Sequence, residues 1–214
     1  MGLGRDELLD MHDRCAATRQ RILNAAAQGL PQAQVIRIAD QLGLPENSEW
    51  AQVPEDDLAF VLDLAVHDAR PGRARAIDHA ARQQMRHAQG EKALVARALE
   101  TSWFSVFRVL GLHPEAGLIV EDAMLGGEAW VLDGLLERLS EPNTLLAARL
   151  GRVQGFAMTS GVVATLGTTM LNGLRLAVSA SGLAAAEMMA EPRVAMLVYR
   201  QAIGLGVRDL LGRG

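Results

Sequence analysis

The sequence predicts an α+β protein: an N-terminal helical bundle, a small antiparallel β-meander or barrel-like module, and two C-terminal helices. Three observations predict it. Over the first hundred residues apolar side chains recur at three- and four-residue steps, the period of helices with one buried face. From Trp103 that period gives way to short apolar or alternating runs separated by Gly and Pro. After residue 167 the chain returns to an Ala-, Leu- and Met-rich helical composition. The division is 1–101, 102–166 and 167–214. No polar or Pro/Gly/Ser-rich spacer separates ALETS from WFSVF, so the parts are expected to pack as one unit.

Each element has its local reason. Residues 6–28 carry Leu8, Leu9, His12, Cys15, Ala16, Ile22, Leu23 and Ala26 at helical spacing, with Gly29 and Pro31 as the stop. Residues 32–42 align Val35, Ile36, Ala39 and Leu42, and Gly43 ends them. PENSEWAQVPED reads as a loop. Pro54 followed by Glu55, Asp56 and Asp57 suits the positive end of a helix, whose core stripe is Leu58, Val61, Leu62, Ala65 and Val66. Pro71-Gly72 closes it, and two further helical stretches, 73–89 and 91–101, meet at Gly90. Five short strands follow: SVFRVLGL, LIVEDAM, AWVLD, TLLAARLGRV and FAMTSGVVATL, with a helical turn within 133–141. The tail is helical over 168–189 and 192–211, and its few charges suggest that much of it is buried against the bundle or a second subunit.

Composition removes several function classes. The chain has 214 residues, half of them hydrophobic, and a net charge of −4. Neither half carries the basic excess of a dominant nucleic-acid surface. The single cysteine, Cys15, excludes an internal disulfide and a multi-cysteine metal site. The N-terminus shows no apolar signal region, so a cytoplasmic location is the expectation. The most hydrophobic window, 162–186, is interrupted by Arg175 and Asn172 and reads as a buried small-residue helix rather than a membrane span.

Candidate chemistry is sparse. Asp63 and His67 stand four apart on one helical face, and with His79, His87 and either Asp68 or Asp78 they offer the weak makings of a mixed His/carboxylate metal site. No HExxH pair accompanies them. Ser140 and Ser160 lie outside any GxSxG elbow. Glu121 and Asp122 are adjacent on a strand and point to opposite faces, which disqualifies them as a catalytic pair; one faces water and the other caps the turn. GxGxxG and GxxxxGK[ST] are absent, so no nucleotide cofactor is implied. TRQRILNAAAQG and QVIRIADQLGLP suggest the first two helices of a helix-turn-helix, but the acidic PENSEWAQVPEDD stands where a recognition helix belongs. Residues 70–87 are the most basic stretch, through Arg70, Arg73, Arg75, Arg82 and Arg86.

The span from Pro54 to about Leu150 resembles a region of uncharacterised bacterial proteins, in which helices lead into a β-module closed by a strand like LAARL. The resemblance rests on Asp63, Ser102, Phe104, Val106, Val109, Gly117, Glu121, Asp122, Gly127, Glu128 and Arg149. It implies a fold and assigns no catalytic set. Some proteins of this kind carry a Cys-rich zinc tail of the SEC-C type; this chain ends VRDLLGRG without cysteine, so that site does not carry over.

The sequence therefore favours a non-enzymatic interaction or regulatory module without cofactor, acting on a protein partner or on itself as a homodimer through the C-terminal helices. A metal-dependent hydrolase using Asp63 and His67, and a nucleic-acid-associated regulator using the arginines of 70–87, are the alternatives.

Overall fold

The structure is a computed structural model and describes residues 4–45, 47–68, 74–86 and 88–205. Helices α1 (Arg5–Gln28), α2 (Gln32–Leu42), α3 (Glu55–His67), α4 (Ala76–Met85) and α5 (Glu91–Glu100) form the N-terminal part. The stretch expected as a loop holds a 3-10 turn, Asn47–Gln52, where Trp50 Nε1 donates to the carbonyl of Pro45 at 3.1 Å. Among the described residues this turn, and no recognition helix, stands between α2 and α3.

Strands β1 (Trp103–Leu112), β2 (Leu118–Asp122), β3 (Glu128–Val131), β4 (Leu145–Val153) and β5 (Phe156–Leu166) close into a barrel in the order β1-β2-β3-β5-β4, with α6 (Gly134–Leu139) between β3 and β4. Every pairing is antiparallel except β3 with β5, a short parallel contact at Val131 and Ala157. That contact turns the meander into a closed barrel and removes the free edges. Phe107, Val109, Leu118, Val120, Leu146 and Leu150 fill the interior, leaving a cavity of about 10 Å³, too small for a ligand.

Both outer faces of the barrel are covered. Phe156 and Met158 pack with α1, α4 and α5, while Phe104, Val106, Leu145, Ala147, Ala164 and Leu166 pack with α2, α3 and the tail. Strand β1 is accordingly buried on both sides from Phe104 to Phe107, which is why its sequence runs apolar instead of alternating. Cys15 sits fully buried in the cluster under α1.

The tail comprises α7 (Thr168–Ser181), α8 (Ala185–Ala190) and α9 (Pro192–Leu205). The first predicted helix is divided at Gly182, whose φ of 68° ends α7 in the left-handed region. Within the chain α7 buries Leu171 and Leu174, α8 only Met189, and α9 Val194, Ala195, Val198 and Tyr199. Most of the hydrophobic window 162–186 is split between β5 and the 14-residue α7. Among the described residues no helix is long and apolar enough to cross a membrane.

Candidate functional site

An irregularity between β4 and β5 creates the site. Ala148 pairs with Val163 and Leu150 with Thr159, so Arg149 alone faces Ser160, Gly161 and Val162. Such a bulge bends the strand and re-aims side chains. Gly161 supplies the positive φ, 97°, that the bulge requires. Arg149 shares the outer face with Leu145 and Ala147, while Leu146, Ala148 and Leu150 fill the barrel. The bulge thus brings Arg149 and Ser160 together under α3.

Both meet Asp63, which is 3% exposed. Arg149 Nε donates to Asp63 Oδ2 at 2.9 Å, Tyr199 OH from α9 donates to the same oxygen at 3.0 Å, and Ser160 Oγ donates to Oδ1 at 3.1 Å. Burial opposes the charge on Asp63, but Arg149 and His67 nearby, with the hydrogen bonds from Arg149 and Tyr199, hold its carboxyl below the ordinary carboxylate value. Burial, then the charge of Asp63, raises the Tyr199 phenol well above its usual pKa, so it remains a donor. The Tyr199 ring stacks on Phe60 at 4.5 Å and meets Phe104 edge-on at 5.6 Å, and Arg149 lies 5.3 Å from the centroid of the Phe104 ring. One carboxylate from α3 therefore ties two strands and α9 together.

His67 completes the group. Its Nδ1 lies 2.9 Å from the backbone carbonyl of Asp63, so the proton belongs on Nδ1, which donates, and Nε2 carries a lone pair. Burial, then the positive charge of Arg149, lowers its pKa from 6.5 to about 4, so the contact of Nδ1 with Asp63 Oδ1 at 3.5 Å is not an ion pair at neutral pH. Nε2 is buried without a hydrogen-bond partner.

His67 and Arg149 line a cavity of about 220 Å³. Ser102, Trp103 and Phe104 also face it, and Met189, Glu191 and Ala195 close it from α8 and α9. Among the described residues Arg149 donates only through Nε, and its two terminal nitrogens make no hydrogen bond.

Residues 15–174 match a family of unknown function (DUF7986). The chain belongs to that family. Asp63, His67, Arg149 and Ser160 fall within the matched span, and Tyr199 with the α8 and α9 side of the cavity falls beyond it. No curated protein and no solved structure matches the chain.

The other sequence candidates separate from this site. His79 is exposed on α4, and Asp78 is held by Arg75 at 2.6 Å, so neither joins Asp63. His87, Arg70 and Arg73 lie outside the described residues. Asp68 receives Arg37 at 2.9 Å. Among the described residues no group of three or more His, Cys, Asp or Glu could hold a metal ion. Asp122 and Glu121 do point to opposite faces. Asp122 caps the turn, accepting from Met124 N, Leu125 N, Ser105 Oγ and Trp103 Nε1, while Glu121 approaches Arg108 at 3.4 Å. Of the basic stretch, Arg75 is engaged by Asp78 and the Glu100 carbonyl, and Arg82 by Glu100 at 2.8 Å.

The residue types flagged Asp63 and His67, but nothing in the sequence connected them to Tyr199 or Ser160. The residue-level signal that points to Arg149 is an arginine at an outward position within the apolar run LLAARL, which opens a strand whose other arginine, Arg152, is exposed. A charge there, with both neighbours buried, calls for a buried partner.

Proposed function

We propose that the chain is a non-enzymatic regulatory module that binds a small ligand in the cavity between the barrel and α8–α9. The observation that carries this reading is the buried guanidinium of Arg149, whose residue lines the cavity and whose terminal nitrogens make no hydrogen bond among the described residues. Buried polar groups ordinarily find partners, and a ligand supplies them. The hydrolase alternative finds less support, because three donors already occupy the Asp63 carboxylate and leave it unsuited to bind metal or act as a base. The nucleic-acid alternative loses Arg75 and Arg82 to intramolecular ion pairs.

Ala190 lines the cavity and is itself exposed, so Ala190→Trp fills the site without disturbing the core. Protein taken from cells and denatured should release a small molecule near one per chain, identified by mass spectrometry, and the variant should release none. Release of nothing by either protein would overturn the reading.

Self-association through the tail is a second reading, favoured by Leu176 on α7, 70% exposed, and Leu197 on α9, 54% exposed. Light scattering tests it: a dimer that Leu176→Glu dissociates supports it, and a monomer at high concentration contradicts it.

A further inference from the structure

We propose that this cavity, taken as the ligand site of the preceding reading, receives a small organic carboxylate whose charged end is held by the guanidinium groups of Arg149 and Arg75.

Two guanidinium groups on one cavity wall are the starting observation. Arg149 is 8% exposed and spends Nε on Asp63, while Nη1 and Nη2 make no hydrogen bond among the described residues. Solvent still reaches them, since the sealed and unpartnered side-chain atoms among those residues are His12 Nε2, Arg19 Nε and His67 Nε2. His67 Nε2 is thus closed off from the cavity, and burial keeps its ring neutral above about pH 4, so it offers a ligand neither contact nor charge. Arg75 spends Nε and Nη2 on Asp78 and the Glu100 carbonyl, and its Nη1 is open in the same sense as the Arg149 pair. Ser102 and Trp103 also line the cavity, but their donors are committed to the Leu99 carbonyl at 2.8 Å and to Asp122 at 3.2 Å. The open donors are therefore the planar pair of Arg149 and one nitrogen of Arg75. A carboxylate accepts from such a pair with both oxygens and keeps a lone pair for the third donor.

The balance of charge selects a carboxylate over a phosphate dianion. Arg149 already faces Asp63 and Arg75 already faces Asp78. Glu191 lines the cavity from the α8–α9 junction, with its side chain 45% exposed and 3.6 Å from Arg193. One added negative charge meets two guanidinium groups; a second would be repelled by three carboxylates. Water and Arg193 screen Glu191 from the single charge. Trp103, Phe104, Leu125, Met189, Pro192 and Ala195 also line the cavity and suit an apolar body. A volume of about 220 Å³ holds roughly seven waters at about 30 Å³ each, room for a carboxylate with a short branched chain or one ring. The cavity meets solvent beside Ala186 and Ala190 of α8, both exposed, which gives the ligand its entry.

Isothermal titration calorimetry on the full chain with isovalerate and benzoate tests the proposal. Isoamyl alcohol supplies the body without the charge, acetate the charge without the body, and inorganic phosphate the competing anion. At least one of the two carboxylates should bind saturably, and the three controls at least about tenfold more weakly, the loss expected for one charged hydrogen bond or about two buried methylenes. Arg149→Lys keeps a cation for Asp63 and removes the planar pair of donors, so it should weaken the carboxylate about tenfold or more. Arg75→Gln lies outside the Asp63 network and tests the same point if Arg149→Lys does not fold; it should weaken the carboxylate about fivefold or more. Glu191→Gln should leave the carboxylate as tight or tighter. Isoamyl alcohol binding as tightly as isovalerate, phosphate binding more tightly than either carboxylate, or a carboxylate unmoved by Arg75→Gln would overturn the proposal. Loss of that binding in Ala190→Trp would leave ligand binding in the cavity standing. No binding by any probe would overturn the carboxylate, and, together with no molecule released from cell-derived protein, the preceding reading as well.

Discussion

Replacing Tyr199 with Phe isolates one arm of the buried network. The stacking on Phe60 at 4.5 Å and the edge contact with Phe104 at 5.6 Å survive, since both belong to the ring. Only the hydroxyl that donates to Asp63 Oδ2 at 3.0 Å is lost. A hydrogen bond to a charged group contributes about 1.5–3 kcal/mol, and Asp63 keeps its bonds from Arg149 and Ser160, so the expected cost is about 2 kcal/mol. Urea denaturation followed by circular dichroism should show a lower midpoint with an unchanged slope. In a chain of this length the melting temperature should fall by about 4–8 °C. Ser160→Ala removes the donor on the other carboxylate oxygen, and the two changes share Asp63. Their double-mutant cycle should therefore give a coupling of at least about 0.5 kcal/mol. A loss below about 0.5 kcal/mol for Tyr199→Phe, with no coupling to Ser160, would refute the carboxylate-centred network.

Other perturbations reach the same structure from different sides. Asp63→Ala leaves the Arg149 guanidinium buried without its partner and should cost about 3–5 kcal/mol in urea denaturation, whereas Asp63→Leu combined with Arg149→Met should recover most of that loss. Stability should fall with acid because of His67: between pH 6.5 and about 4 the unfolded chain takes up a proton that the folded imidazole refuses, a loss of about 3 kcal/mol at the lower limit. Comparing urea midpoints at pH 7 and pH 4 for the protein and for His67→Leu isolates this contribution, and equal slopes in the two would contradict it. Cys15 is fully buried and burial raises its thiol pKa, so a thiol reagent should label the native protein slowly and the denatured protein at once. Rapid native labelling would place α1 differently.

Much of the architecture follows from local signals. Gly29 and Pro31 stop α1 where the sequence says, and α2 and β5 span the predicted residues. The five strands were legible because Pro114, Gly117, Gly126, Gly127 and Gly155 separate apolar runs too short for helices. A barrel-like module was one of the two forms expected; which strands close it was not legible, since closure depends on a short parallel contact between Val131 and Ala157, and no local pattern specifies which strands meet across a sheet. The split of the tail at Gly182 was also missed; a glycine within an Ala-rich run is compatible with continued helix until its left-handed φ is known.

The site was half visible. Asp63 and His67 share a face by spacing alone, and the residues carrying the family resemblance included both Asp63 and Arg149. Their meeting spans 86 positions and depends on the bulge at Gly161, which re-aims Ser160 toward α3. Tyr199 comes from 136 positions away on a helix whose docking only the folded chain defines. Spacing offered Asp63 and His67 only as weak metal candidates; in the structure three donors occupy the carboxylate and the imidazole keeps one unpartnered nitrogen.

That free nitrogen is the most direct point of attack. Nitrogen-15 NMR of the His67 imidazole across pH 7 to 3.5 reports both its tautomer and its pKa. A proton on Nδ1 and an unprotonated Nε2 down to about pH 4 is the predicted result. A proton on Nε2 at neutral pH, or titration near 6.5, would contradict a neutral, buried imidazole that donates from Nδ1 to the Asp63 carbonyl.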